Sequence, residues 1–102
     1  MLLHNKLVVF FFLFVNYLFA QNTNLSIAKK LYDEGRFDLA QSIFYDIFNN
    51  SINNKEHALF YIASCSKELF SEDAKFNLKY FLREFPYSIF NSHVYLDLAE
   101  IY

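Results

Sequence analysis

From Asn24 onward the apolar residues of the chain recur every three or four positions, the spacing of one face of an α-helix. Leu25, Ala28, Leu31 and Tyr32 form a first stripe, and Gly35 follows it, a residue suited to the left-handed conformation that ends helices. Phe37, Ala40, Ile43, Phe44, Ile47 and Phe48 form a second, wider stripe that stops at the Asn-rich loop NNSINN, residues 49–54. A third helix is predicted over residues 55–69. Between Ala58 and Ala63 it is apolar all round, which predicts burial on more than one face, as for the middle element of a stack. Ser71 is placed to cap a fourth helix, with Glu72 and Asp73 at the positive end of its dipole and a stripe of Ala74, Leu78, Phe81, Leu82 and Phe85. Pro86 disfavours helical geometry at Phe85 and ends it. A fifth helix begins near Ser88 or Ser92, with Tyr95, Leu98, Ala99 and Tyr102 at helical spacing. Almost nothing reads as a strand, so the fold class is all-α: antiparallel helix pairs, about five helices.

The residues before this pattern belong to a different class. MLLHNKLVVFFFLFVNYLFA places one cation, Lys6, ahead of an apolar run over residues 7–20 interrupted only by Asn16. A short positive start, a hydrophobic stretch and a small residue at its end are the features of a signal peptide. Residues 1–20 are therefore expected to be an export signal, with cleavage after Ala20. The run is shorter than the ~20 apolar residues a membrane span needs, although an uncleaved segment would tie the chain to a membrane. No cysteine lies near the end of the run, which excludes bacterial lipid attachment there.

Residues 21–102 then form a single small domain with eight Lys/Arg against eleven Asp/Glu, a formal charge of −3. The charges are interspersed and no basic block exceeds Lys29-Lys30, so the electrostatic footprint for nucleic acid or anionic lipid is missing. A domain of this size hides only ~60 % of the surface its unfolded chain exposes. Nine Phe and seven Tyr can offset that, since each ring buries ~150–250 Å² when packed. Cys65, in the uncharged stretch ALFYIASC, has no internal disulfide partner and is expected to be buried.

Overlaying the stripes exposes an internal repeat. Ala28, Ala63 and Ala99 are separated by 35 and 36 residues, each in the first helix of a pair. Ala40 and Ala74, 34 apart, lie in the second helices and are followed by matching apolar positions: Phe44 with Leu78, Ile47 with Phe81, Phe48 with Leu82. Small residues at these places let helix axes approach to the usual 8–10 Å or so, which a large side chain would prevent.

LYDEGRFDLAQSIFYDIF resembles the core of a tetratricopeptide repeat: a glycine, an aromatic two later, an alanine three after that and an aromatic four further on. YIASC, AKFNLKYFLREFP and PYSIFNSHVYLDLAEIY resemble the variant repeats of bacterial envelope proteins related to the outer-membrane assembly lipoproteins and the Tol-associated periplasmic proteins. There a proline and a serine two later precede the next helix, and a Leu-Ala pair, here Leu98-Ala99, lies near its middle. The resemblance covers about residues 24–102. Two departures stand out: SKELFSEDA has no turn glycine and is one residue short before Ala74, and the lipid-attachment cysteine of the lipoprotein members is absent. The resemblance implies a short right-handed α-solenoid of about two and a half repeats whose first helices line a concave groove. Carried over by alignment, that groove is lined by Leu25, Lys29, Tyr32, Phe60, Ser64, Lys67, Leu96 and Glu100, with plain packing as the competing role for Phe60 and Leu96. The clamp for a peptide's C-terminal carboxylate found in chaperone-binding members is not reproduced, so apolar and aromatic anchors or helix docking would carry recognition.

Chemistry-bearing patterns are sparse. His57 and His93 are isolated, and no metal-ligand spacing, HExxH, CxxC or phosphate-cradling glycine loop occurs, so neither a metal nor a cofactor is expected. Asp33-Glu34 and Glu72-Asp73 lie at a helix end and a helix start, where solvated or dipole-related roles outweigh acid–base work. Ser64 or Cys65 could act as a nucleophile only if the fold brought His57 or His93 to them. Asn24-Leu25-Ser26 and Asn49-Asn50-Ser51 match the glycosylation pattern at a frequency chance provides. The expected activity is thus non-catalytic: an exported adaptor that binds a protein or peptide in a bacterial periplasm or cell envelope, in outer-membrane protein assembly or envelope organisation. The alternatives are the extracytoplasmic sensing region of a receptor whose membrane span lies beyond Tyr102, and an accessory domain of an exported enzyme. Residues 92–102 read as the first helix of a third pair without its partner, which predicts a longer chain or self-association through that helix.

Overall fold

A computed structural model describes the backbone of residues 2–101 and the side chains of that span other than residues 2–4 and 17–22. The helices are α1 (Leu2–Asp33), α2 (Phe37–Asn50), α3 (Lys55–Glu68), α4 (Ala74–Glu84) and α5 (Asn91–Ile101), and no strand occurs among the described residues. Each helix packs against the next in the chain, and α3 also packs against α5. The all-α class and the packed helix pairs follow the apolar pattern.

The first helix is longer than its stripe predicts, running from Leu2 through Ala20 without a break. Neither glycine nor proline occurs before Gly35, so no residue interrupts the helical backbone. Residues 5–16 are exposed on every side, whereas Leu25 and Ala28 already pack against the helical stack. Leu18 and Ala20, on which the cleavage expectation rests, and Tyr102 of the last stripe lie outside the described side chains.

Helix α3 is the centre of the molecule, as its all-round apolar sequence predicts. Within residues 58–66 every side chain is buried except the half-buried Tyr61. Ala58, Ile62 and Cys65 face one cluster with Ala28 of α1 and Ala40, Phe44 and Ile47 of α2. Leu59, Phe60 and Ala63 face a second with Leu78 and Phe81 of α4 and Val94 and Leu98 of α5. The rings divide between core and surface. Phe44 and Phe81 are wholly enclosed, and Tyr61 stacks on Phe44 with centroids 4.8 Å apart. Phe70, Phe76, Tyr87 and Tyr95 face water, so the core holds fewer rings than the composition allows.

Burial repeats with the sequence. Ala40 and Ala74, Phe44 and Leu78, and Ile47 and Phe81 are buried pairs at a spacing of 34, and Phe48 and Leu82 are both half-buried. Ala28 and Ala63 are each 0 % exposed. Ala99 breaks the series: it is exposed, and Leu98 takes the buried place, so the spacing into α5 is 35 rather than 36. The register of α5 is set by Val94 and Leu98, which enter the second cluster four residues apart, one helical turn.

The turn lacking a glycine has the same geometry as the turn that has one. After α1, Gly35 N–H donates to Tyr32 O (3.0 Å) and Arg36 N–H to Leu31 O (2.9 Å), with φ of 79° at Gly35. After α3, Phe70 N–H donates to Lys67 O (3.0 Å) and Ser71 N–H to Ser66 O (2.9 Å), with φ of 54° at Phe70. Both are Schellman ends with the left-handed residue 35 positions apart. A side chain at such a φ costs roughly 1–2 kcal/mol.

Helix α4 starts at Ala74, three residues after the expected cap, because Ser71 caps a preceding tight turn instead. Its hydroxyl accepts from Asp73 N–H (3.2 Å) and its carbonyl from Ala74 N–H (3.1 Å). Ser88 repeats the arrangement before α5, accepting at its hydroxyl from Phe90 N–H (3.1 Å) and at its carbonyl from Asn91 N–H (3.2 Å). One buried polar group joins three helices. Ser66 Oγ accepts from Gln41 Nε2 (2.9 Å) and Asn77 Nδ2 (2.9 Å) and donates to Ile62 O (3.0 Å). That fills its two acceptor sites and one donor.

The matched turns make a paired prediction. Phe70→Gly relieves the strained φ and raises stability by about 1 kcal/mol after allowing for the freer unfolded chain, while Gly35→Ala lowers it by about the same amount. In thermal melts these are shifts of about 4–8 °C in opposite directions. A fall in Tm for Phe70→Gly would show that the ring, though exposed, stabilises the turn.

Candidate partner-binding surface

The eight residues assigned to a groove fall on α1, α3 and α5, and the fold joins two pairs of them across the helices. Tyr32 of α1 meets Ser64 of α3, hydroxyl to hydroxyl at 2.7 Å. Lys67 of α3 meets Glu100 of α5. Lys29 places its ammonium 5.8 Å from the centre of the Tyr61 ring, and Leu25 packs against the first cluster. Phe60 is a core residue, stacked on Phe90 at 4.2 Å with edge contacts to Tyr61 and Phe81. Leu96 stands 65 % exposed on α5. Packing is therefore the role of Phe60 in this fold and not that of Leu96.

Lys67 is the electrostatic centre of the α3–α5 contact. Its ammonium lies 3.3 Å from Asp97 Oδ1 and 3.8 Å from Glu68 Oε1, besides its contact with Glu100. The hydrogen bond it donates to Glu100 first, and then the one to Asp97, raise its pKa against the lowering effect of burial. Glu100 is lowered in turn by Lys67. Asp97 is 4 % exposed, its Oδ2 makes no hydrogen bond, and His93 Nε2 lies 3.4 Å from that oxygen. Lys67 thus balances carboxylates of its own chain, and removing it would leave Asp97 buried without its cation.

His57 and His93 sit against rings. His57 meets the edge of Phe90 at 5.1 Å, and His93 that of Phe60 at 5.4 Å. Ser64 has Tyr32 as its partner, and Cys65 lies in the core with its thiol pushed up to about 12 by burial. A thiol held protonated in this way is a packing group rather than a nucleophile.

A cleft of about 590 Å³ opens where α3 ends, α4 begins and α5 ends, lined by Lys67, Phe70, Ser71, Glu72, Ala74, Lys75, Glu100 and Ile101. Its rim carries Phe70, 93 % exposed, the ring held out by the left-handed backbone described above. Lys67 and Glu100 were legible from the repeat alignment, but Phe70 and Asp97 were not. The signal for Phe70 was present: it lies 35 residues after Gly35, where the repeat calls for a left-handed residue, and it follows Leu69 as a second apolar residue beyond the helix. No protein-family model, curated protein or solved structure matches the chain.

The Cys65 thiol, two tyrosines and Lys67 set the loss of stability at alkaline pH. Cys65, Tyr32 and Tyr61 are raised by burial, and Lys67 is raised by its carboxylates. A group with a folded pKa above its unfolded value binds more protons in the folded state, so its stabilisation is complete below the unfolded pKa and is lost as pH rises through the folded one. For Cys65 that window runs from 9.0 to about 12. The urea midpoint should hold steady at neutral pH and fall through this window, and the Cys65 thiol should react with a thiol reagent only in step with unfolding. Rapid labelling of the folded chain at neutral pH would contradict the packing described for α3.

Proposed function

We propose that this chain is an exported, non-catalytic interaction module of a bacterial cell envelope, a short right-handed α-solenoid of tetratricopeptide-like helix pairs that binds a protein or peptide partner. Residues 1–20 are its export signal and residues 21–102 its binding domain. Supporting the reading are two Schellman turns 35 residues apart, the matched burial of α2 and α4 at a spacing of 34, and the central α3. These are the features that stacked pairs of one design would share.

The observation that carries the binding assignment is Phe70. Its backbone is strained where glycine would be relaxed, and its ring is left in water where it contributes nothing to the core. Strain of this kind is characteristic of sites held for contact with something else. Phe70 and Ile101 give the cleft apolar anchors, and Lys67, Lys75, Glu72 and Glu100 give it charges of both signs. That lining suits a peptide that lays an apolar side chain into the cleft while its backbone and flanking residues meet the charged rim.

Selection of displayed random peptides on the immobilised chain tests this. Peptides with a shared apolar residue should be enriched, and Phe70→Gly should weaken their binding about 30-fold, the scale of a lost hot spot of ~2 kcal/mol, while making the domain more stable. Failure to enrich any peptide, or equal binding by Phe70→Gly, would contradict the assignment.

A further inference from the structure

The alternation of helices sorts the turns between two ends of the stack. The α1–α2 turn at Gly35 and the α3–α4 turn at Phe70 lie at one end, and the loops 51–54 and 85–90 lie at the other. At this second end the loop tips are apolar and open to water: Ile52 is 88 % exposed, Tyr87 97 % and Ile89 85 %. Helix α1 leaves the stack from the same end. It packs on α2 from Tyr32 back to Leu25, α2 is long enough to run alongside α1 to about residue 20, and residues 5–16, exposed on every side, project beyond. The long axis of the molecule, 64 Å against 28 and 19 Å, reflects that projection.

The projecting arm is of a kind that lipid covers whole and a one-sided protein groove covers only in part. Leu7, Val8, Val9, Phe10, Phe11, Phe12, Leu13, Phe14 and Val15 are all exposed, covering every side of the helix rather than one stripe. An all-round apolar helix suits surroundings that are apolar all round. No linker separates the arm from the stack, because α1 is one continuous helix. The apolar run over residues 7–20 is about 21 Å long at 1.5 Å per residue. That is short of the ~30 Å hydrocarbon core, and among the described residues no helix is long and apolar enough to cross a membrane. A bilayer that takes up so short an arm thins locally and leaves no slack between the arm and the stack.

We propose that, for as long as residues 1–20 remain attached, the chain stands on a lipid bilayer with its arm inserted and the loops 51–54 and 85–90 against the headgroups. Ile52, Tyr87 and Ile89 are then interfacial contacts, the amphipathic tyrosine at the depth such rings favour. The Phe70 cleft lies at the opposite end and faces the aqueous phase. Lipid is favoured over a second copy of the chain because the arm offers no single face for helix pairing, and over electrostatic adsorption because the charges of the domain are interspersed.

The test is a nitroxide label placed in turn at Ile52→Cys, Tyr87→Cys and Phe70→Cys in the full 102-residue chain, with Cys65 unlabelled by virtue of its burial. On addition of phosphatidylcholine vesicles, labels at 52 and 87 should lose collisions with a water-soluble nickel chelate and gain collisions with oxygen, while the label at 70 changes in neither. The proposal is overturned if the chain does not bind the vesicles, if it binds with 52 and 87 still as open to the chelate as 70, or if the label at 70 enters the lipid. None of these outcomes depends on peptide binding, so the two proposals stand or fall separately.

Discussion

Burial of α3 on both of its sides is the constraint from which the remaining architecture follows. A helix buried over residues 58–66 except at the half-buried Tyr61 needs neighbours on each side, and α2 and α4 provide them. The approach is close because small residues occupy the contacts: Ala28, Ala40, Ala58 and Cys65 in one cluster, Ala63 in the other. The large side chains, Phe44 and Phe81 above all, close the clusters from the outer helices, each contributing about 1.5–3 kcal/mol by leaving water. A domain of this length has only some 5–10 kcal/mol to lose. Neither cluster is large enough to persist alone, so α3 makes one cooperative unit of the two.

Polar chemistry then fixes the register that apolar packing leaves loose. Ser66 holds the amides of Gln41 and Asn77 to the end of α3, and Lys67, the next residue, holds Asp97 and Glu100 of α5. Two adjacent residues thus tie α3 to each of the helices that follow it and to the one before. The same stretch of chain turns into the strained Schellman end at Phe70, so the cleft beside it adjoins side chains held by three other helices. A ring presented from rigid surroundings loses little freedom on binding, which is the physical advantage of the site over the exposed side chains of α5.

Much of this was legible in the sequence, and the places where it was not have a common cause. The stripes of α2 and α4, the all-round apolarity of α3 and the buried Cys65 could be read because burial imposes a period on side-chain type. The repeat alignment placed Lys67 and Glu100 on first helices as separate groove residues, and their ion pair came only with the fold. Ala99 misled, since a small residue beside a leucine satisfies the alignment in either of two registers, and Val94 decides between them only through contacts made in space. Phe70 was hidden because an aromatic residue does not announce a left-handed backbone, and the turn kept its hydrogen bonds without the glycine. The unbroken α1 shows the reverse limit: composition separates residues 1–20 from the rest, and the helical backbone does not.

Native-state hydrogen exchange across a denaturant series tests the central claim most directly. If α3 joins two clusters into one unit, its amides over residues 58–66 exchange only through global unfolding, and the core amides of α2 and α4 merge with them into a single isotherm. Exchange of α3 ahead of α2 or α4, or separate isotherms for the α1–α2 and α4–α5 sides, would mean that the pairs fold independently and that α3 is not the shared core.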